Sequence, residues 1–579
     1  MYNSVKSYEY DALGRNISVT DPLNATSRVS YDELGAISER IGPLGASTAY
    51  TYDRIGRLIS ETTASGGNVS YGYNALGLKT EQRNARGQKT EYTYDALGRI
   101  VGMTNAEDTR SYTYDANGNI LTATDKNGTV TRVYDALNRV IKYTDTEGNT
   151  VCYSYDSVGN LTRIIYPDGT AVVYSYDVNN NLVSVIDWEG RATTYTYDEN
   201  NKVVSVAKPD GSITETVYDD AQRVVSTVER TADGSVISGF EYTYDKLSRI
   251  IAEKSLASGE KICYNYDEDS RVVKKCICDS HSNECGCEGD CYSYDKAGNI
   301  TGARIDCTSH TRAYDKNNRL TEANGVASTY DADGNMLSNG TLTCTYDSAN
   351  RLTSACGHTY TYNAEDVRIR NLCADEDTTY TYNTNCKLSK LLCKTTNGVV
   401  TKYVYGRGLI GEESNNTFKT YHFDFRGSTI AITDASGNIT DTFAYDTYGK
   451  LTSRTGTTPV IFSYNGRDGV VTDDNGLIYM RARYYSPEMK RFINADIVAG
   501  QISNAITLNR FAYANGNPVS FVDPFGLSAE RAGITKQEFE YFLNIYNELL
   551  VFSKKQKKAI FEVKMGSTKY YQNVETTLG

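Results

Sequence analysis

A nine-residue stretch, Tyr50-Thr51-Tyr52-Asp53-Arg54-Ile55-Gly56-Arg57-Leu58, returns almost unchanged as Tyr92-Thr93-Tyr94-Asp95-Ala96-Leu97-Gly98-Arg99-Ile100. Looser copies are Tyr10-Asp11-Ala12-Leu13-Gly14-Arg15 and Tyr112-Thr113-Tyr114-Asp115-Ala116-Asn117-Gly118-Asn119. The aligned Asp or Asn stands at 11, 32, 53, 74, 95, 115, 135, 156, 177, 198 and 219; eight of these intervals are 21 residues and two are 20. A fixed period of this length belongs to chains that stack one small unit many times.

Each unit reads as two short antiparallel strands. Tyr50 and Tyr52, two positions apart, share one face of a strand. Asp53 ends that strand and offers its carboxylate to the following turn, and Gly56 supplies a positive φ. Arg57 to Ser60 reads as the returning strand, and Ala64-Ser65-Gly66-Gly67-Asn68 as the next turn. Asp95 and Gly98 repeat the roles of Asp53 and Gly56. A single hairpin is too small to be stable, so units must stack, and the expected rung is Tyr on Tyr. The 49 tyrosines, single Trp and only 8 prolines fit an aromatic sheet whose backbone N–H groups mostly join ladders.

The pattern Tyr-x-Tyr-Asp-x-x-Gly-Arg/Asn-Leu/Ile resembles the YD repeat of the RHS family, which includes polymorphic toxins, wall-associated RHS proteins and the YD shell of teneurins. The resemblance covers nearly all of residues 8–527. It implies an all-β ribbon wound as a spiral into a hollow shell; periodicity alone implies only a stacked solenoid or spiral. From Tyr421-His422-Phe423-Asp424-Phe425-Arg426-Gly427 the sequence is similar to the RHS repeat-associated core domain. That domain runs through Tyr479-Met480-Arg481-Ala482-Arg483-Tyr484-Tyr485 to Asp523-Pro524-Phe525-Gly526-Leu527. The expected organisation is a repeat shell over 1–420, a core domain over 421–527 and a variable tail over 528–579. Where Ser486 and Lys490 stand, the family usually has Asp and Gly.

Between Asp315 and Asn363 the interval shortens to 16 residues, which should tighten the spiral. The thirteen cysteines lie between Cys152 and Cys393, five of them within 276–291 beside His281. That cluster is open to disulfides, a thiolate metal site or a reduced loop, although its Cys-x-Cys pairs lack the usual structural zinc spacing. No metal or other cofactor is expected.

Net charge is −12, and residues 1–527 carry −14 of it. An acidic shell is poorly suited to nucleic acid or an anionic membrane. No apolar run is long enough for a membrane-spanning helix, and no signal peptide is visible. The chain opens in mid-repeat, as a piece of a longer protein or a recombined cassette would. The four histidines sit in unrelated contexts, and His422 reads as structural.

For chemistry, the resemblance implies an aspartyl-type self-cleavage directly after Asp-Pro-x-Gly-Leu, between Leu527 and Ser528. Carried over, its catalytic residues are Asp496, Asp523 and Arg483. Two carboxylates held together share a proton, so one can act as base on water and the other as acid. An arginine would orient them, and covalent attachment supplies proximity for one turnover. On the residues alone, the two aspartates are equally suited to capping turns, with Arg483 as a buried partner.

After Leu527 the pattern becomes helical: Thr535-Lys536-Gln537-Glu538 is a capping box, followed by apolar residues at three- to four-residue spacing. The resulting expectation is a secreted or cell-surface RHS shell that encloses and releases its own C-terminal segment, with an immunity protein as partner. The alternatives are a wall- or surface-associated module binding carbohydrate or protein, its tail vestigial, and a non-functional RHS fragment.

Overall fold

The computed structural model describes residues 5–278, 289–305, 307–386, 388–498, 500–527 and 529–531. The helical reading of the tail and the Cys285–Cys287 part of the cysteine cluster lie outside these residues.

The repeat folds as the sequence demands. Strands Ser47–Tyr52 and Leu58–Thr63 pair antiparallel, and the next strand, Asn68–Tyr73, pairs on the other side. In the turn, Gly56 N donates to Asp53 O (3.0 Å) and Asp53 N to Arg57 O (2.9 Å), with Gly56 at φ +78°. This is a type I turn closed by a glycine bulge. One carboxylate oxygen of Asp53 accepts from Ile55 N and Arg57 N, and the other lies 2.6 Å from Arg57 Nε. Asp95 and Gly98 repeat the arrangement (Gly98 φ +80°). This meander forms a 31-stranded sheet up to Ala327, and a 12-stranded sheet runs from Cys344 to Thr455.

The rung between units differs from the expected Tyr-on-Tyr stack. The recurrent ring contact is Arg over the next unit's Tyr: Arg57 over Tyr73 (4.8 Å), Arg99 over Tyr114 (4.6 Å), Arg139 over Tyr155 (4.6 Å). The same tyrosines donate their hydroxyls back one unit, Tyr73 to Leu58 O and Tyr114 to Ile100 O. The aspartate orients the arginine, the arginine covers the ring, and the hydroxyl fixes the register. A guanidinium on a half-buried ring keeps its charge near water, which a second stacked tyrosine would not achieve.

The ribbon then closes on itself. Turns lacking the Tyr-Asp motif on one winding rest on the Tyr-Asp turns of the next. Arg86 reaches Asp333 (2.6 Å) and the carbonyls of Tyr346 and Asp347. Arg110 and Asn127 donate to Ala364 O and Tyr362 O, Tyr166 to Tyr403 O, and Lys208 to Tyr421 O. Apart from the Arg86–Asp333 pair these contacts run from side chain to backbone, and among the described residues no strand ladder joins the windings. Their sequence separation falls from 264 residues at Asn84–Ser348 to 154 at Tyr294–Tyr448, so later windings are shorter.

Beyond Thr455 the chain leaves the ribbon and packs against it. Four short strands, the last three of them Ile478–Met480, Arg483–Ser486 and Arg491–Phe492, form a small sheet. Arg368 of the second winding is fully buried there, with its guanidinium 4.3 Å from the Tyr479 ring and 2.6 Å from Asp473. Cys263 and Cys278, on adjacent strands, form a disulfide.

Candidate functional site: an aspartate pair around Arg483

Arg483 opens the strand Arg483–Ser486 and is 4 % exposed. Its guanidinium stacks on Phe492 (3.6 Å). One nitrogen, Nη2, lies 2.9 Å from Asp496 Oδ2 and 3.2 Å from Asp523 Oδ2. Two carboxylates that are 13 and 40 residues away in sequence therefore converge on a single guanidinium nitrogen. Its other groups are also engaged: Nη1 donates to Arg510 O (2.9 Å) and Nε to Gly526 O. The Arg510 side chain in turn donates to the Asp496 carbonyl.

The three residues 481–483 grip three consecutive carbonyls before the expected scissile bond. Arg481 Nη1 donates to Pro524 O (2.5 Å), Ala482 N to Phe525 O (3.1 Å), and Arg483 Nε to Gly526 O. Arg481 also holds Ser389 O and Asp468 O, tying this turn to the second winding. Asp523 Oδ1 accepts from Leu527 N (3.0 Å), and Gly526 N donates to Asp523 O (3.2 Å). Gly526 is at φ +68°, and a Cβ there would meet Met480 O at 2.6 Å and Arg483 N at 3.0 Å. Only glycine fits between this turn and the strand behind it. The chain then turns back, with Phe521 pairing with Arg531 and Val522 with Glu530. Leu527 sits in the loop between them; Ser528 lies outside the described residues.

Burial raises the Asp496 carboxyl above its ordinary value, opposed by Arg483 and by amide donors including Val498 N. Arg483 is pushed below its ordinary value by burial, and the two carboxylates oppose that shift. A carboxyl biased toward its acid form beside a second carboxyl and a fixed cation has the composition of an acid–base pair. Sequence reasoning singled out Arg483, Asp496 and Asp523, which the fold brings together. It missed Arg481, whose only signal was its place beside Arg483 in Arg481-Ala482-Arg483, and Arg510, which stands apart in sequence and gave no signal.

The two departures from the family pattern are accommodated locally. Ser486 Oγ accepts from Met489 N (3.2 Å), the capping bond an aspartate would make. Lys490 adopts φ +59°, a glycine-like conformation, with its ammonium in a buried pair with Asp446. His422 is buried, 2.9 Å from Glu229 and 3.4 Å from Asp210, and ties the first winding to a later strand.

The sequence model of the teneurin YD-shell family matches residues 77–223 and 227–519. The chain belongs to the teneurin YD-shell family. The RHS repeat model matches residues 31–69 and 52–88 of this YD shell. Among curated proteins it is 27 % identical over 251 residues to the tRNA3(Ser)-specific nuclease WapA of Bacillus spizizenii, covering 41 % of the chain and 11 % of that protein. It is 34 % identical over 119 residues to double-stranded DNA deaminase toxin A of Burkholderia cenocepacia, covering 19 % of the chain and 8 % of that protein. The YD shell thus spans about a tenth of the length of the curated relatives it matches. Among solved structures, TcdB2-TccC3-Cdc42 superposes with a TM-score of 0.68 at 16 % identity, covering 91 % of the chain and 34 % of that one. The fold is an all-β YD-repeat spiral of the shell type, related to toxin proteins.

Proposed function

We propose that this YD shell encloses the segment that follows Leu527 and cuts its own chain once between Leu527 and Ser528. The observation that carries this reading is the shared grip of Arg483 Nη2 on Asp496 and Asp523, with Leu527 N held by the same Asp523. In this reading one carboxylate activates a water and the protonated one donates to the leaving nitrogen. The clamp by residues 481–483 fixes the reacting strand, so a single turnover needs little more than proximity. The core boundary at 421, the tail as cargo, an immunity protein as partner and a secreted or cell-surface location belong to the same proposal. Its resemblance to proteins named as a tRNA-specific nuclease and as a double-stranded DNA deaminase toxin, about a tenth of each being matched, supports this reading.

Intact mass of the expressed full chain tests it. A fragment beginning at Ser528, absent when Asp523 is replaced by Asn, supports the cut. An uncut chain, and one still uncut when longer versions of the protein are expressed, rejects it.

A further inference from the structure

The segment that carries Asp496 is held from two sides through one residue. Ile493 N donates to Tyr484 O (3.0 Å), beside Arg483, and Ile493 O accepts from Met336 N (3.0 Å). The first bond ties the segment to the Arg483 strand. The second ties it to the second winding, where the short strand Met336–Ser338 follows the turn 331–335. Packing reinforces the second contact. A Cβ at Gly334 would lie 3.4 Å from Ala495 Cβ and 3.7 Å from Phe511 Cζ, and the Tyr330 and Phe511 rings meet edge to face at 6.1 Å. Asp496 N then donates to Arg510 O (2.9 Å), while the Arg510 side chain donates to the Asp496 carbonyl. Asp496 takes its position from the turn 331–335.

The other side of that turn is the seam with the first winding. Arg86 Nε lies 2.6 Å from Asp333 and 3.4 Å from Asp331, and Ala85 N donates to Asp333 Oδ1 (2.7 Å). The remaining guanidinium nitrogens of Arg86 donate to Tyr346 O, Asp347 O and Asn350 Oδ1. One side chain therefore spans two successive turns of the second winding. The Asp333 side chain is only 4 % exposed, so removing Arg86 leaves a buried carboxylate short of its counter-charge, and the turn must move toward water to hydrate it.

We infer that the seam at Arg86 positions Asp496, so that the Arg483 site is complete only when the second winding has closed on the first. The consequence for cleavage rests on the reading proposed above; the coupling rests on the contacts alone. The route is short: Arg86 to Asp333, that turn to Met336, Met336 to Ile493, and three residues on to Asp496. Arg86 is a positioning residue and touches no reacting atom. A displacement on the order of 1 Å between reacting groups costs roughly a hundredfold in rate. A chain whose windings have not closed holds Asp496 out of place and stays uncut.

Hydrogen exchange and the rate of appearance of the product beginning at Ser528, both measured on the full chain, test this. Arg86→Ala should raise exchange about tenfold or more over 330–338 and 492–511, and slow the cut about tenfold or more. It should also move the pH limb of cleavage to lower pH, because water reaching the Asp496 carboxyl relieves the burial that raises it. The charged groups facing that carboxyl are Arg483 and Arg510, with Asp523 on the same Arg483 nitrogen, and the substitution touches none of them. A variant that was merely less folded would lower the rate without moving the limb. Arg86→Lys keeps a cation beside Asp333 and should retain most of the protection and the wild-type limb. Arg191→Ala removes a seam pair with Glu413 (2.5 Å) on the strand Leu409–Ser414 and should leave 492–511 protected and the cut unchanged. Unchanged exchange over 492–511 in Arg86→Ala, an equal loss from Arg191→Ala, or a slower cut with an unmoved limb would each overturn the inference. A wild-type chain that never cuts rejects the cleavage reading itself, and exchange then decides whether the seam holds Asp496.

Discussion

The ammonium of Lys490 lies 2.6 Å from the Asp446 carboxylate, with both side chains almost wholly removed from water (2 % and 6 % exposed). Lys490 adopts a left-handed backbone at φ +59°, where a side chain costs about 1 kcal/mol. The ion pair is what retains a lysine there. Lys490→Gly should relieve that strain yet leave Asp446 buried and unpaired, which costs about 3–5 kcal/mol. The net loss, about 2–4 kcal/mol, should appear as a lower denaturation midpoint. Lys490→Gly/Asp446→Asn should recover most of it. Equal losses in the single and double variants would show that the pair is not the reason.

The Arg483 site predicts a pH profile. Burial raises the Asp496 carboxyl, so its acid form persists to higher pH than that of a free aspartate. If Asp496 supplies the proton, the rate of appearance of the product beginning at Ser528 should fall as pH rises through that raised value. Asp496→Asn and Asp523→Asn should each reduce cleavage by at least a hundredfold, as removal of an acid or base does. Arg483→Lys keeps the charge but cannot reach Gly526 O and both carboxylates together, so it should slow cleavage while leaving the fold intact. Time courses read by mass spectrometry over a pH series check all three.

The local turn of the repeat is legible in the sequence. Asp53 and Gly56 do what their positions require, because an Asp-x-x-Gly turn is solved within five residues. The arginine-over-tyrosine rung was not legible, since it joins Arg57 to a ring one unit further on and the pattern shows only that both recur. The seam was still less so. Arg86 and Asp333 are 247 residues apart, and nothing periodic links them. The convergence of Asp496 and Asp523 on Arg483 lies between these cases: the residue types stood out through resemblance, and only folding shows a shared nitrogen.

Each rung should be worth little alone and accumulate along the ribbon. Tyr94→Phe removes the bond from its hydroxyl to Lys79 O and should cost about 1 kcal/mol. Gly98→Ala, at φ +80°, should cost about 1–2 kcal/mol through backbone strain. Hydrogen exchange should show the loss confined to the neighbouring hairpins. A global loss of protection from either change would mean that the ribbon unfolds as one unit instead.

The buried cluster that joins Lys208, Asp210 and Glu229 to His422 predicts acid sensitivity. Burial alone would raise Glu229, but Lys208 (2.5 Å) and His422 (2.9 Å) hold it down at about 2. Asp210 is likewise held below its ordinary value, against burial, by His422 and the Thr433 hydroxyl. For a carboxylate whose folded value lies below its unfolded value of ~4.3, the stabilisation is complete above the unfolded value. It is lost as pH falls toward the folded one. From Glu229 alone this loss is on the order of 3 kcal/mol between about pH 4.5 and pH 2. Because the cluster joins the first winding to the strands around Tyr421 and Thr433, acid should loosen that seam before the hairpins melt. Glu229→Gln should be less stable at neutral pH, where it leaves Lys208 short of a counter-charge, and should show a flatter acid limb. Denaturation midpoints of both proteins over that pH range decide it, and parallel acid limbs would remove Glu229 from the account.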